Sequence, residues 1–235
     1  MPNACVIFDF DGVIADTESL HHAAYNHTFA AHAADIGGPL EIPRQAYFTR
    51  YIVYGDQEGF FHMLRDHGRP ADDSLIRRLS ATKHDLFQDK LGAFAEPLPG
   101  VREILAFLES QNVPRAICSG ARRAEIIELL DAFQLRRHFN TVVAIEDVRN
   151  GKPDPEGYNK AFDLLNIEND ATLEKEHSLV IEDSEGGCAA ARAAGLPVLA
   201  VATSLPLEHV RRCATHAAEN LTHITPAQLT HWLRL

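Results

Sequence analysis

CVIFDFDGVIADT, residues 5–17, opens as a strand and breaks into a turn. The run Ala4-Cys5-Val6-Ile7-Phe8 is short, apolar and rich in β-branched and aromatic side chains, as suits a strand buried on both faces of a parallel sheet. Asp9-Phe10-Asp11-Gly12 follows at once. Two carboxylates two residues apart on an extended backbone point to the same side, and such a pair stays ionised only if a cation shares its charge. Gly12 lets the chain turn directly after them. An EF-hand calcium loop needs Gly at its sixth place and Glu at its twelfth. Counted from Asp9, those places hold Ile14 and Leu20, so that reading fails.

Outward from this strand, residues 18–95 read as helices. The stretches LHHAAYNHTFAAHAAD, GDQEGFFHMLRDHG and DDSLIRRLSATKHDLFQDKLG repeat apolar residues at three and four spacing, and no alternating strand pattern interrupts them. His21, His22, His27 and His32 fall in the first. A metal site would need an i, i+4 pair with a third ligand, which this spacing lacks, so all four are expected on the helix surface. Pro97-Leu98-Pro99-Gly100 marks a boundary.

Beyond it, helices and short apolar strands alternate. Helices are expected over 101–111, 122–133, 155–165 and 186–194, and strands over 115–118, 141–145, 178–181 and 197–201. That alternation specifies a parallel α/β sheet, to which the opening strand belongs. The helical stretch is then an insertion, giving a core domain of 1–17 with 96–235 and a smaller helical domain of 18–95.

Composition bounds the function. The chain has 235 residues, 46% hydrophobic and 23% charged, the material of an ordinary globular protein. No apolar run approaches the roughly 20 residues of a bilayer span, and no basic segment precedes the first apolar stretch, so a cytoplasmic chain without a membrane partner is expected. Cys5, Cys118, Cys188 and Cys213 form no CxxC pair, which argues against zinc and for reduced, buried thiols. The sequons at Asn26 and Asn220 then carry no meaning. A formal charge of -11 would repel a phosphate backbone, so no nucleic-acid partner is expected. An anionic ligand must be attracted by a local cluster or a metal.

In an open parallel sheet, ligands bind outside the carboxyl ends of the strands. The first expected strand delivers Asp9 and Asp11, the second Ser119-Gly120, the third leads to Gly151-Lys152-Pro153, and the fourth delivers Glu182-Asp183. Each alone has an ordinary explanation: Ser119 as an N-cap, Lys152 as a solvated charge, the acids as the start of a helix. Together, at the ends of four strands, they point to phosphoryl transfer. The oxygen-only acids suit Mg²⁺. The Lys152 ammonium, the Ser119 hydroxyl and the amides near Gly120 can neutralise phosphoryl oxygens. One aspartate can attack phosphorus while the other moves the proton.

The segments DFDGVIADT, CSGA, GKPDP and IEDSEGG resemble the four motifs of the haloacid dehalogenase superfamily, in order and across nearly the whole chain. The branch resembled is that of β-phosphoglucomutase and phosphoglycolate phosphatase, in which DGVxxDT is followed by an acid and a histidine, here Glu18 and His21. The resemblance implies an α/β fold, a Rossmann-like doubly wound parallel sheet, with the helical insertion as a cap that closes over the site. It implies Asp9 as nucleophile, Asp11 as general acid/base, and Ser119, Gly120 and Lys152 on the phosphate. Mg²⁺ would be held by the Asp9 side chain, the Asp11 backbone carbonyl, Glu182 and Asp183. His21, Lys83 and Arg122 are candidate substrate contacts.

The activity expected is a Mg²⁺-dependent phosphatase acting, as a monomer, on a small phosphorylated metabolite through an aspartyl-phosphate. Asp11 disfavours halide and phosphonate chemistry. A phospho-aspartate signalling module would lack so long an insertion. A sugar-phosphate mutase remains the alternative. Its cap grips a second phosphate with an arginine in a GVSR-like turn, whereas here Tyr54-Gly55-Asp56-Gln57-Glu58 places two acids, though Arg50 or Lys83 could serve from another direction.

Overall fold

A computed structural model of the chain describes residues 2–51, 54–94, 97–170 and 172–235. Residues 52, 53 and 95 of the expected helical stretch, and the expected boundary residue Glu96, lie outside the described residues. The chain divides into two compact units, 1–16 with 96–235, and 17–95.

The larger unit is built on strand β1 (Val6–Phe8), whose three residues are all buried. The insertion supplies α1 (Thr17–Ala31), α2 (Arg44–Ala46), α3 (Asp56–Asp66) and α4 (Asp73–Phe94). The larger unit then runs α5 (Val101–Ser110), β2 (Arg115–Cys118), α6 (Arg123–Ala132), β3 (Thr141–Val143), α7 (Glu156–Asn169), β4 (Leu179–Glu182), α8 (Glu185–Ala193) and β5 (Val198–Val201). It ends with α9 (Leu207–Cys213), β6 (His216–Ala218) and α10 (Pro226–Leu233). The six strands form one parallel sheet in the order β3-β2-β1-β4-β5-β6, with Val6 in register with Arg115 on one side and Leu179 on the other.

This is a doubly wound α/β fold. Alternate strand residues face opposite sides. Cys5, Ile7, Ala116, Cys118, Val180, Val198 and Ala200 join the buried face under α7 and α8, with Tyr158, Ala161, Cys188 and Ala191. Phe8 points the other way and meets Phe139 edge-on, ring centroids 5.6 Å apart. The small side chains of α8 let the helix lie close to the sheet. All four cysteines are free and buried, and burial pushes the thiols of Cys5 and Cys118 up to about 12, which keeps them protonated.

Three local readings differ from expectation. Ile145 leaves the sheet, because the chain after Val143 tightens into a 3₁₀ turn over Ile145–Asp147. The short β6 carries His216 and two alanines, a run without the apolar bulk that marked the other strands. Of the four histidines near α1, only His27 is exposed. His22 Nε2 lies 2.7 Å from the Ile42 carbonyl, and His32 reaches Asp35 and Thr82 at 2.9 Å each.

The helical unit has its own core of Tyr25, Phe29, Phe60, Met63, Leu64 and Leu79. Asn26 clamps the connection after α1, donating to the Ile42 carbonyl at 3.1 Å and accepting from the Ile42 amide at 2.8 Å. No helix among the described residues is long and apolar enough to cross a membrane.

Candidate active site

The strand order reverses direction between β1 and β4, the switch point where open α/β sheets leave a crevice at the carboxyl ends. Asp9 follows the last residue of β1, Glu182 is the last of β4, and Asp183 comes next. Their side chains converge: one ligand oxygen from each lies within 4.8 Å of the others, and all three residues are buried. Lys152 bridges two of them, its Nζ 2.5 Å from Asp9 Oδ1 and 2.6 Å from Glu182 Oε1.

Glu182 is held on both oxygens. Oε1 accepts from Lys152 and, at 2.8 Å, from the Tyr158 hydroxyl of α7. Oε2 accepts from the Asp183 and Ser184 amides at 2.9 and 3.0 Å and from the Ser184 hydroxyl at 2.9 Å. Gly187, in the first turn of α8, leaves the space the carboxylate occupies, for a Cβ there would run into Glu182. Gly12 has φ of 74° and turns the chain under Asp183, whose carboxylate a Cβ at Gly12 would also strike. Asp183 accepts from the Ser204 hydroxyl.

The electrostatics follow from three buried acids beside one ammonium. Burial would neutralise Lys152, but Asp9 and Glu182 outweigh it and hold the amine charged. Burial likewise raises Glu182, yet Lys152 and the hydrogen bonds from Ser184 and Tyr158 carry it below its ordinary value. Asp9 is pushed well up, by burial first and then by Glu182, Asp183 and Asp11, against the pull of Lys152. Burial lifts Asp183 to about 7. The group therefore holds more buried acid than its one lysine can balance in the ionised form. An oxygen-only set of this kind fits a hard divalent cation such as Mg²⁺.

Asp11 is half-buried and its side chain stands outside this group, accepting from the Ser119 hydroxyl at 3.3 Å. Ser119 is buried at the end of β2, and its Oγ also accepts from the Ala121 amide at 3.0 Å. Gly120 is exposed with open space beside it, and Arg122 is exposed at the start of α6. Within the helical unit, His21 and Lys83 form a cluster of their own. Lys83 is 1% exposed, pairs with Asp56 and sits 3.0 Å from His21 Nδ1, while His21 stacks on Phe87 at 4.2 Å. Burial and the Lys83 charge lower His21 to about 4, so it is neutral near pH 7. Asp56 and Glu58, expected in a turn, stand instead in the first turn of α3, where Asp56 is paired with Lys83 and Glu58 is exposed.

Sequence reasoning missed Tyr158 and Ser204. Ser204 was open to the same rule that found the others, because Ala202-Thr203-Ser204 follows the carboxyl end of β5. Tyr158 gave no signal, since a buried aromatic on a helix reads as core until its hydroxyl is placed.

The family model for haloacid dehalogenase-like hydrolases matches residues 6–201. The chain is similar to a phosphorylated carbohydrates phosphatase of Thermotoga maritima, 32% identical over 81% of each chain. It is also similar to a phosphoglycolate phosphatase of Mesorhizobium japonicum, 28% identical over 90% of this chain and 88% of that one. A solved hydrolase of the same family from Deinococcus radiodurans, with bound phosphate and sodium, shares the fold at a TM-score of 0.77 and 21% identity, covering 98% of this chain and 96% of the other.

Proposed function

The chain belongs to the haloacid dehalogenase-like hydrolase family, and on that premise we propose that it is a Mg²⁺-dependent phosphatase for a small phosphate monoester, working through an aspartyl-phosphate on Asp9. The observation that carries this reading is the convergence of Asp9, Glu182 and Asp183 at the switch point, with Lys152 bridging the first two. Mg²⁺, held by the carboxylates of Asp9, Glu182 and Asp183 and the backbone carbonyl of Asp11, would offset the excess acid and the charge on the phosphoryl oxygens.

The protein's own groups divide the work. Lys152 and the Ser119 hydroxyl hold the phosphoryl oxygens, and Lys152, paired with Asp9, favours its ionised form against the burial and neighbouring acids that push the carboxyl up. An Asp9 oxygen attacks phosphorus, the bond from phosphorus to the ester oxygen breaks, and Asp11 gives that oxygen its proton. Water then attacks the same phosphorus, giving a proton to Asp11, and the bond to Asp9 breaks to release phosphate. Asp11 fits this role because its half-buried side chain lies two residues beyond Asp9, outside the convergence of Asp9, Glu182 and Asp183 and within reach of the Ser119 hydroxyl.

The similarity to phosphatases of phosphorylated carbohydrates and of phosphoglycolate supports a small phosphorylated metabolite as substrate. Exposed Glu58 in place of a phosphate-gripping arginine favours hydrolysis over mutase chemistry. The purified chain should release phosphate from one or more sugar phosphates or phosphoglycolate in Mg²⁺, lose that activity in EDTA and regain it on adding Mg²⁺. Full activity in EDTA would overturn the metal, and conversion of β-glucose 1-phosphate, primed by the 1,6-bisphosphate, faster than phosphate release would overturn the phosphatase.

A further inference from the structure

We propose that the chain carries a second binding site, for a small oxyanion, in the cavity at the amino-terminal ends of β2 and β3. This is the end of the sheet opposite the acidic site: Arg115 opens β2, and Ser119 follows its last residue. The cavity measures about 310 Å³, and its lining includes Asn112, Arg115, Arg137, His138 and Asn140 together with the acids Glu109 and Glu168. That volume lies at the lower end of those that take small-molecule ligands.

Two residues of this lining each carry a buried donor atom that makes no hydrogen bond within the chain. Arg115 spends Nη1 on the Val113 carbonyl at 3.2 Å, while its Nε has no hydrogen-bond partner. The His138 side chain is 7% exposed, and Arg137 Nε donates to its Nε2 at 3.4 Å, which places the ring proton on Nδ1. That Nδ1 also has no hydrogen-bond partner. Glu109 Oε2 stands 3.4 Å away without closing a hydrogen bond, on a side chain that is 56% exposed. Burial lowers His138 against the opposing pull of Glu109, with Arg115, Arg137 and Arg102 adding to the lowering, and the ring is neutral near pH 7.

A buried N–H left unpaired costs about 1–3 kcal/mol, so two such groups on side chains that line one cavity favour an acceptor seated among them from outside the chain. The two guanidinium groups make an anionic acceptor the better match than a carbonyl or hydroxyl. Glu168 does not fill the role, for it makes no hydrogen bond to Arg115 Nε or His138 Nδ1, and its Oε2 accepts from the Thr141 hydroxyl. The Asn112 and Asn140 amides can take hydroxyls or a second acid group on the same ligand. A carboxylate and a phosphate share this chemistry.

Calorimetric titration in EDTA with inorganic phosphate and with succinate separates those two sources. It is to be run on the wild type and on Lys152→Ala, in which the proposed phosphate contact of the acidic site is gone. At least one anion should bind Lys152→Ala, and adding Arg115→Gln or Arg137→Gln should weaken that binding tenfold or more. Arg137 is exposed, so Arg137→Gln tests the site even if Arg115→Gln fails to fold, and Arg137→Gln alone should keep wild-type turnover. Binding of phosphate only, or of succinate only, supports the site and identifies the source. The proposal is overturned if neither anion binds Lys152→Ala, or if binding survives both arginine substitutions.

Discussion

Asp9 must ionise to act as proposed where burial and the neighbouring acids oppose ionisation, and Lys152 pulls the other way without outweighing them. Lys152 in turn is aimed by Glu182, and Glu182 by Tyr158, whose hydroxyl donates to the same Oε1 and whose ring centroid lies 5.0 Å from Lys152 Nζ. Two residue-scale predictions follow from this chain of contacts. Asp9→Asn keeps the side-chain shape and removes the proposed nucleophile. Turnover should fall by on the order of 10⁴-fold or more, as removal of a covalent nucleophile does, with the circular dichroism spectrum unchanged. Retention of a tenth of wild-type kcat would remove Asp9 from the role. Tyr158→Phe deletes one hydrogen bond to a charged acceptor, which is worth about 1.5–3 kcal/mol. It should lower kcat/KM by roughly tenfold or more and weaken competitive inhibition by inorganic phosphate in step, because the grip that suffers is that of Lys152. A loss of thermal stability with kinetics unchanged would make Tyr158 a packing residue alone.

At the scale of elements, the site depends on how closely α8 approaches the end of β4, and Gly187 sets that approach. Gly187→Ala keeps helix propensity, even improving it, yet its methyl group would occupy the place of the Glu182 carboxylate. Turnover should fall at least tenfold while the same substitution at Gly186, where a Cβ meets nothing within 4 Å, should leave it near wild type. Equal effects at both positions would refute the steric account. The elements themselves were legible in the sequence to the degree that burial is expressed as composition. β1, β2, β4 and β5 are apolar runs bounded by breaks, so they could be read directly. β6 could not, because His216-Ala217-Ala218 takes its place by pairing with β5 and carries no apolar signal. The acids, Ser119 and Lys152 stood out because chemistry at strand ends uses charged residues where a sheet would otherwise have none. Tyr158 and Ser204 stayed hidden because each looks like packing or loop until its hydroxyl meets a carboxylate.

For the molecule as a whole, the excess of buried acid at the switch point ties stability to both pH and metal. Burial lifts Asp183 from an unfolded value of 3.8 to about 7, and Asp9 also lies above its ordinary value. In chelator, the folded chain therefore binds more protons than the unfolded chain between about pH 4 and 7. The stability contributed by Asp183 falls as pH rises through that window, and Asp9 acts in the same sense. Glu182 acts in the opposite sense, since its lowered value adds stability above the unfolded range, so the net slope reflects two groups against one. Carboxylates elsewhere contribute to the total slope, but they cancel when the same protein is compared with and without Mg²⁺. The cation binds the deprotonated acids, so its stabilisation must grow as those acids lose their protons. The rise in Tm on adding Mg²⁺ should therefore be larger at pH 8 than at pH 5, and Asp183→Asn should remove most of the difference. An equal rise at both pH values, or none at pH 8, would show that the acidic group does not hold the metal.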